Sequence, residues 1–198
     1  MLDYGGGNLG SLLAALERRG AAFTVCSDPR GLHDARAAIL PGDGAFAATM
    51  RALRERGLDD GIRRHIEAGR PFLGICVGMQ VLFEASTEFG ESPGLGILHG
   101  RVSRFENAPR IPHMGWNLLE KVAEHPFVDG LAEEPYAYFL HSYRAPVLAD
   151  TVAAATHGER FSAVVARDNV MGTQFHPEKS RGTGAKLLDN FLLRAREA

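Results

Sequence analysis

The sequence predicts an α/β fold in which an open, mixed and mostly parallel sheet is flanked by helices. Short apolar runs alternate with helical patterns through the first half of the chain, which is typical of βαβ units. The second half changes to strand-rich segments and closes with one amphipathic helix. The chain has 198 residues and neither a low-complexity linker nor an internal repeat, so we expect one domain over residues 1–198.

The first half begins with a helix. Leu9, Leu12, Leu13 and Leu16 recur with the period of one helix face, Asn8 stands at the N-cap position, and Gly20 follows as a stop signal. The later elements of this half are strands at 23–26 and 37–40, helices at about 45–56 and 59–68, a buried strand at 72–76 and a helix at 78–85.

The second half is predicted to be mainly strand. Strand-like segments cover residues 95–105, 138–145, 151–157 and 161–175. The last element is a helix over 181–197, which carries leucine and phenylalanine on one face at positions 187, 188, 191 and 192.

Composition excludes several classes of function. The 22 basic and 24 acidic residues nearly balance, which argues against a nucleic-acid binder. Two cysteines make a disulfide framework improbable, and the start MLDYGGGN lacks the basic region of a signal peptide. The most apolar run, residues 71–83, is shorter than the roughly 20 residues of a membrane span. These features predict a cytoplasmic protein. No histidine or cysteine spacing is typical of a metal site, so we expect no bound metal.

Cys76 stands in a pattern that is typical of a nucleophile. The segment Gly74-Ile-Cys-Val-Gly78 follows an apolar strand and precedes a helical pattern, as in a nucleophile elbow. The flanking glycines permit a tight turn, and the helix N-terminus favours a thiolate and a developing oxyanion, with the N–H of Val77 as the natural donor. The alternative is a buried structural cysteine, which is our interpretation of Cys26.

A base and its orienting group stand near the C-terminus. His176 and Glu178 are two residues apart, on one face of an extended segment, and Pro177 between them restricts the backbone. Glu178 can therefore hold the imidazole in one tautomer, and a cysteine nucleophile requires such a base. Taken alone, the pair could also be a solvated histidine and an exposed glutamate.

Together these segments resemble a known family. GICVGMQ at 74–80 and QFHPE at 174–178 are similar to the class I, triad-type glutamine amidotransferases. Four further blocks resemble one branch, the glutaminase subunits of imidazole glycerol phosphate synthase in histidine biosynthesis. These blocks are DYGGGNL at 3–9, PGDGAF at 41–46, PHMGWN at 112–117 and FLHSY at 139–143. The resemblance implies a flavodoxin-like, three-layer α/β fold and no cofactor.

The resemblance also implies roles for individual residues. Cys76 would attack the glutamine carboxamide to form a γ-glutamyl thioester, His176 would move the protons, and Glu178 would orient His176. The implied oxyanion and substrate-binding residues are Gly42, Asp43, Gly44, Val77, Gln80, Glu88, Ser142 and Tyr143.

A partner is implied as well. The released ammonia would pass to a cyclase subunit, a (β/α)₈ barrel of typically about 250 residues that this chain has no room for. Asn8, Trp116 and Lys179 are the candidate contacts in such a heterodimer, although residues 113–116 could also form a plain loop. The alternatives are a glutaminase for anthranilate, aminodeoxychorismate or GMP synthesis, a non-catalytic regulatory subunit, or a free-standing cysteine hydrolase.

Overall fold

The computed structural model describes residues 1–6 and 9–198, so the helix cap expected at Asn8 lies outside the described residues. The helices are α1 Leu9–Glu17, α2 Arg30–His33, α3 Phe46–Glu55, α4 Leu58–Glu67, α5 Val77–Gln80 and α6 Arg181–Glu197. The strands are β1 Ala38–Leu40, β2 Phe72–Ile75, β3 Phe83–Ser86, β4 Ser92–Pro93, β5 Leu98–Arg104, β6 His113–Leu118, β7 Glu120–Lys121, β8 Tyr136–His141, β9 Tyr143–Arg144, β10 Thr151–His157, β11 Glu159–Arg167 and β12 Val170–Thr173. Two 3₁₀ turns lie at Pro126–Val128 and Pro177–Lys179.

The main sheet has the strand order β1-β2-β12-β11-β10-β7. β1 pairs in parallel with β2, and β2 with β12, whereas the remaining three pairings are antiparallel. The mixed α/β fold is confirmed, but the sheet is less parallel than expected. Tight turns at Gly158 and at 168–169 join β10, β11 and β12, and such short connections produce antiparallel hairpins.

Helices cover both faces of this sheet. Ile39, Leu73 and Ile75 contribute to one hydrophobic cluster, which includes residues of α1 and α6. Leu40 and Phe72, their neighbours on the same strands, contribute to a second cluster that includes residues of α3 and α4. Side chains of a strand alternate between faces, so the two clusters lie on opposite sides of the sheet and the layers are helix, sheet and helix.

A second region packs beside the main sheet. It contains a four-stranded sheet, β4-β3-β5-β9, and a two-stranded ribbon, β6-β8. The helix expected at 78–85 is wrong, because α5 ends at Gln80 and β3 starts at Phe83. Phe83 and Ala85 are buried while Glu84 between them is exposed, and β3 pairs in parallel with β5. Long-range pairing thus decides the structure of this short apolar segment.

The predicted strand at 23–26 is also wrong. The structure has a single parallel bridge there, between Leu2 and Cys26. The N-terminal segment that pairs with Cys26 turns away after Asp3, whose carboxylate accepts the N–H of Gly5. The pairing therefore does not extend beyond this one bridge. By contrast, the strand at 151–157 and the helix at 181–197 have the predicted bounds. Within the described residues, no helix combines the length and apolar character needed to cross a membrane.

Candidate active site

Cys76 lies at a sharp turn between β2 and α5. Its φ of 54° and ψ of −114° are a strained backbone conformation for a residue with a Cβ, at a cost of about 1–3 kcal/mol. A Cβ at Gly74 would lie 2.4 Å from the carbonyl oxygen of Gly78, and one at Gly78 would lie 2.0 Å from the carbonyl oxygen of Leu40. Close backbone contact therefore requires both glycines, as the elbow interpretation expected. The N–H of Val77, in the first turn of α5, has no intrahelical acceptor.

His176 reaches the same sheet edge from the neighbouring strand. β12 runs parallel to β2, with Thr173 opposite Ile75, so the segments that follow both strands leave the sheet side by side. The Nδ1 atom of His176 is 3.0 Å from Oε1 of Glu178. Both side chains are largely buried, with 11% and 4% of their surface exposed. The carboxylate thus keeps the proton on Nδ1 and leaves Nε2 for chemistry.

The electrostatics of His176 favour its charged form. Burial lowers the pKa of its imidazole, but hydrogen bonds with Cys76 and Glu178, and the negative charge of both partners, outweigh burial and raise it to about 10. A charged imidazole beside a cysteine sulfur can give a proton to a group bound next to that sulfur.

A cavity of about 510 Å³ opens at Cys76 and His176. Seven of the predicted oxyanion and substrate residues line it: Asp43, Gly44, Val77, Gln80, Glu88, Ser142 and Tyr143. Gly42 is buried behind this wall, where a Cβ would lie 2.8 Å from Cγ1 of Val77 and 3.0 Å from the backbone nitrogen of Gly78. Its backbone therefore packs against the first turn of α5, next to Cys76.

Two polar side chains of the cavity are held in place. The Oε2 atom of Glu88 accepts the N–H of Phe46, the first residue of α3, at 2.7 Å. The Nε2 atom of Gln80 donates to the carbonyl oxygen of Tyr143 and to Oε1 of Gln174, both at 3.0 Å. Glu88 therefore offers a fixed carboxylate, and Gln80 a fixed amide, in the cavity that Cys76 also lines.

The chain matches the family model described as glutamine amidotransferase class-I over residues 1–195. It belongs to the class I glutamine amidotransferase family. Among curated proteins it is 46% identical to the imidazole glycerol phosphate synthase subunit HisH of Salinibacter ruber, over 96% of this chain and 92% of the relative. It is 48% identical to the protein of the same name from Synechococcus sp. (strain JA-3-3Ab), over 97% of this chain and 91% of that one.

Solved structures agree on the fold of the amidotransferase. A structure described as a glutamine amidotransferase aligns with a TM-score of 0.77 and 26% identity, over 98% of this chain and 97% of the other. The structure of PurLQS from Thermotoga maritima aligns with a TM-score of 0.76 and 24% identity, over 97% of this chain and 95% of the other. The second likeness concerns the fold alone.

Sequence reasoning did not select several residues that lie at or beside Cys76 and its cavity. Gln174 lies inside the QFHPE motif, and its Nε2 is 3.8 Å from Sγ of Cys76. His141 lies inside the FLHSY motif and lines the cavity, so the motifs themselves were the available signal for both residues. Arg104 and Phe89 also line it. Arg104 arrives there because β5 pairs with β9, which sets it opposite Tyr143, and no local pattern indicates that pairing.

Two of the three candidate partner contacts, Trp116 and Lys179, lie within the described residues. Residues 113–116 form part of β6 and not the loop that was the alternative. Trp116 is 46% exposed, packs edge to face on Tyr138 at 6.0 Å and has the Arg181 guanidinium 5.4 Å from its ring centre. Lys179 is exposed on the turn after His176, and Asn8 lies outside the described residues.

Proposed function

We propose that this chain is the glutaminase subunit of imidazole glycerol phosphate synthase. It hydrolyses glutamine to glutamate and ammonia with Cys76 as nucleophile, His176 as acid and base, and Glu178 as orienting group. The observation that carries the proposal is the cysteine elbow beside a carboxylate-held histidine, in a chain whose curated relatives at 44–48% identity bear that subunit name.

The cavity explains how glutamine would be held. The α-ammonium group of the substrate pairs with the Glu88 carboxylate, whose Oε2 is already fixed by the N–H of Phe46. The α-carboxylate rests on the backbone of Ser142 and Tyr143. Gln80 borders the same cavity, and its buried amide is held by the carbonyl oxygen of Tyr143. These contacts direct the side-chain carboxamide toward Cys76.

The first chemical step is acyl transfer to sulfur. The Cys76 thiolate attacks the carboxamide carbon, and its electron pair forms the new C–S bond while the carbonyl oxygen becomes an oxyanion. The N–H of Val77 and the backbone of Asp43 and Gly44, which border the cavity, are the donors available to this oxygen, and such donors are worth about 10²–10³ in rate. His176 then gives its proton to the departing nitrogen, the C–N bond breaks, and ammonia leaves a γ-glutamyl thioester.

Hydrolysis completes the cycle. Neutral His176 takes a proton from water as the oxygen attacks the thioester carbon, and the C–S bond breaks to return thiolate and glutamate. Glu178 accepts a hydrogen bond from the Nδ1–H group throughout and does not take the proton, so that Nε2 faces the reacting atoms in both half-reactions.

The β6–β8 ribbon is the proposed docking face for the cyclase subunit, a separate (β/α)₈ barrel. Met114, Trp116, Tyr136 and Leu140 are 40–62% exposed on one face of the ribbon. Met114 lies opposite Leu140, Trp116 opposite Tyr138, and Tyr136 opposite Leu118. Leu140 also lines the cavity, so the exposed apolar face adjoins the site that releases ammonia. A heterodimer that covers this face encloses a route for ammonia and excludes water.

The same proposal treats residues 1–198 as one amidotransferase domain and places the subunit in the cytoplasm, which agrees with two free cysteines. The test is glutamate release by this chain alone and with a histidine-pathway cyclase subunit plus its nucleotide ligand. We expect strong release only in the complete mixture. High activity of the chain alone would indicate a free-standing amidase, and inactivity of the folded chain in both would indicate another amidotransferase branch or a regulatory subunit.

A further inference from the structure

The amide of Gln174 lies against the sulfur of Cys76. Gln174 is fully buried two residues before His176, and its Nε2 is 3.8 Å from Sγ, which is a hydrogen-bonding distance for sulfur. Its backbone N–H is bonded to the carbonyl oxygen of Ala163, so the start of the side chain is fixed by the sheet. The reaction described above gives this residue no role.

Neighbouring groups determine which end of the amide faces the sulfur. The carbonyl oxygen of Tyr143 can only accept, so Gln80 must turn its NH₂ group toward it. The same NH₂ group donates to Oε1 of Gln174 at 3.0 Å. Because the oxygen of Gln174 is already engaged, its NH₂ group is the end that faces Cys76.

The Tyr143 carbonyl is itself fixed by a one-directional chain of hydrogen bonds. His141 donates from Nδ1 to this carbonyl at 2.8 Å, and its Nε2 accepts from Nδ1 of His113 at 3.0 Å. Nε2 of His113 then accepts from Asn117 at 3.2 Å. Burial lowers the pKa of His141 to about 3 and that of His113 to about 4, so both rings stay neutral and keep these tautomers near pH 7.

We propose that Gln174 is a positioning residue that donates a hydrogen bond to the Cys76 thiolate and that Gln80 fixes the direction of this bond. Its catalytic consequence rests on the proposed glutaminase function. Hydrogen bonds to a charged acceptor are about twice as strong as neutral ones. His176 loses its proton when ammonia departs, whereas the amide of Gln174 keeps its hydrogens and still faces the sulfur when the thioester breaks.

The variant Gln174→Met tests this bond, because it keeps the length of the side chain, adds no charge and removes both hydrogen bonds. Gln174→Glu is the second variant. It has nearly the same shape and still accepts from Gln80, but it loses the donor and adds a negative charge beside the sulfur, so both effects raise the midpoint. The control is Thr173→Val, which removes a buried hydroxyl from the adjacent position, where it donates to the carbonyl oxygen of Phe175 at 3.0 Å.

The readout is the rate of iodoacetamide alkylation of Cys76 between pH 5 and 10, followed by peptide mass in a Cys26→Ala background. Donor loss shifts the pH midpoint of alkylation upward by about one unit or more, which is a tenfold loss of thiolate below the midpoint. Glutamine hydrolysis with the partner present should fall about tenfold or more in kcat with a smaller change in KM. Thr173→Val should match the wild type in both.

Two results would overturn the inference. One is an unchanged alkylation midpoint in folded Gln174→Met, or in folded Gln174→Glu if the first variant does not fold. The other is an equal shift in Thr173→Val, which would indicate a general loosening of the strand end. The alkylation assay needs neither glutamine nor partner, so a shifted midpoint in a chain that fails to hydrolyse glutamine would leave this contact standing and refute the proposed function alone.

Discussion

Replacing Glu178 by glutamine removes the charge that holds the His176 imidazole while keeping the shape of the side chain. In the wild type the carboxylate is 3.0 Å from Nδ1 of His176, and both side chains are 11% or less exposed. A hydrogen bond to a charged group contributes about 1.5–3 kcal/mol, and burial limits solvent screening of this one. Glu178→Gln should therefore weaken proton binding by His176 about 10- to 100-fold.

The loss in rate should exceed the loss in proton affinity. The glutamine amide can turn its NH₂ group toward Nδ1 and so stabilise the wrong tautomer, in which Nε2 carries the hydrogen. The Oε2 atom of Glu178 is buried and has no hydrogen-bond partner among the described residues, so the second end of the new amide is unsatisfied as well. We expect glutamine hydrolysis in the assembled complex to fall about 10²–10⁴-fold in kcat.

The assay is glutamate release with saturating cyclase subunit and nucleotide ligand, together with an NMR titration of the His176 ring. The matched control is Glu84→Gln. It neutralises an exposed glutamate of β3 whose carboxylate lies 3.4 Å from Nδ1 of His99 on β5. The control should retain wild-type activity. Wild-type kcat and an unchanged His176 titration in folded Glu178→Gln would refute the role of the carboxylate.

Four further outcomes follow from the geometry. Cys76→Ser should abolish glutamate release while the complex still uses added ammonia, and residual glutaminase activity would remove Cys76 from the mechanism. Glu88→Gln should raise KM for glutamine about 10- to 100-fold with little change in melting temperature, because an amide oxygen can still accept the N–H of Phe46; an unchanged KM would contradict the ammonium contact. Gly78→Ala forces a Cβ to 2.0 Å from a backbone oxygen and should lower the free energy of unfolding in urea by more than about 3 kcal/mol. In the control Gly182→Ala the new Cβ has no described atom within 4 Å, so the free energy of unfolding should stay the same or rise. The buried His141 has a folded-state pKa far below its unfolded value, so its contribution to stability is present above about pH 6.5 and is lost as pH falls, by up to about 1.4 kcal/mol per pH unit. The free energy of unfolding in urea should therefore depend less on acid pH in His141→Asn than in the wild type. Equal slopes against pH would contradict this contribution of His141.

Structural features that depend on residues close together in the sequence could be predicted from local patterns. The leucines at 187 and 188 and Phe191 share one face and are all buried on α6, whose bounds were predicted from that spacing. The elbow at Cys76 could be predicted because glycines stand two residues before it and two residues after it, at positions where a tight turn leaves no space for a Cβ. The proximity of His176 to Glu178 follows from a spacing of two residues.

Contacts between distant segments explain what the sequence could not predict. Phe83 lies in a strand because it pairs with Leu98, although its apolar neighbourhood indicated a continuing helix. Arg104 and His141 reach the cavity through sheet pairings that join positions tens of residues apart. The orientation of the Gln174 amide depends on Gln80 and on one backbone carbonyl, and no periodicity encodes such a relation.

The central claim is that this chain takes the amide nitrogen of glutamine and delivers it to a cyclase partner. Incubation of the complex with glutamine labelled with ¹⁵N at the amide, its nucleotide substrate and excess unlabelled ammonium tests this claim most directly. Mass spectrometry of the imidazole product should find the label in nearly every molecule, and Cys76→Ser should give unlabelled product. Unlabelled product from the wild-type complex, while glutamate accumulates as fast as the imidazole product forms, would contradict nitrogen delivery to this partner.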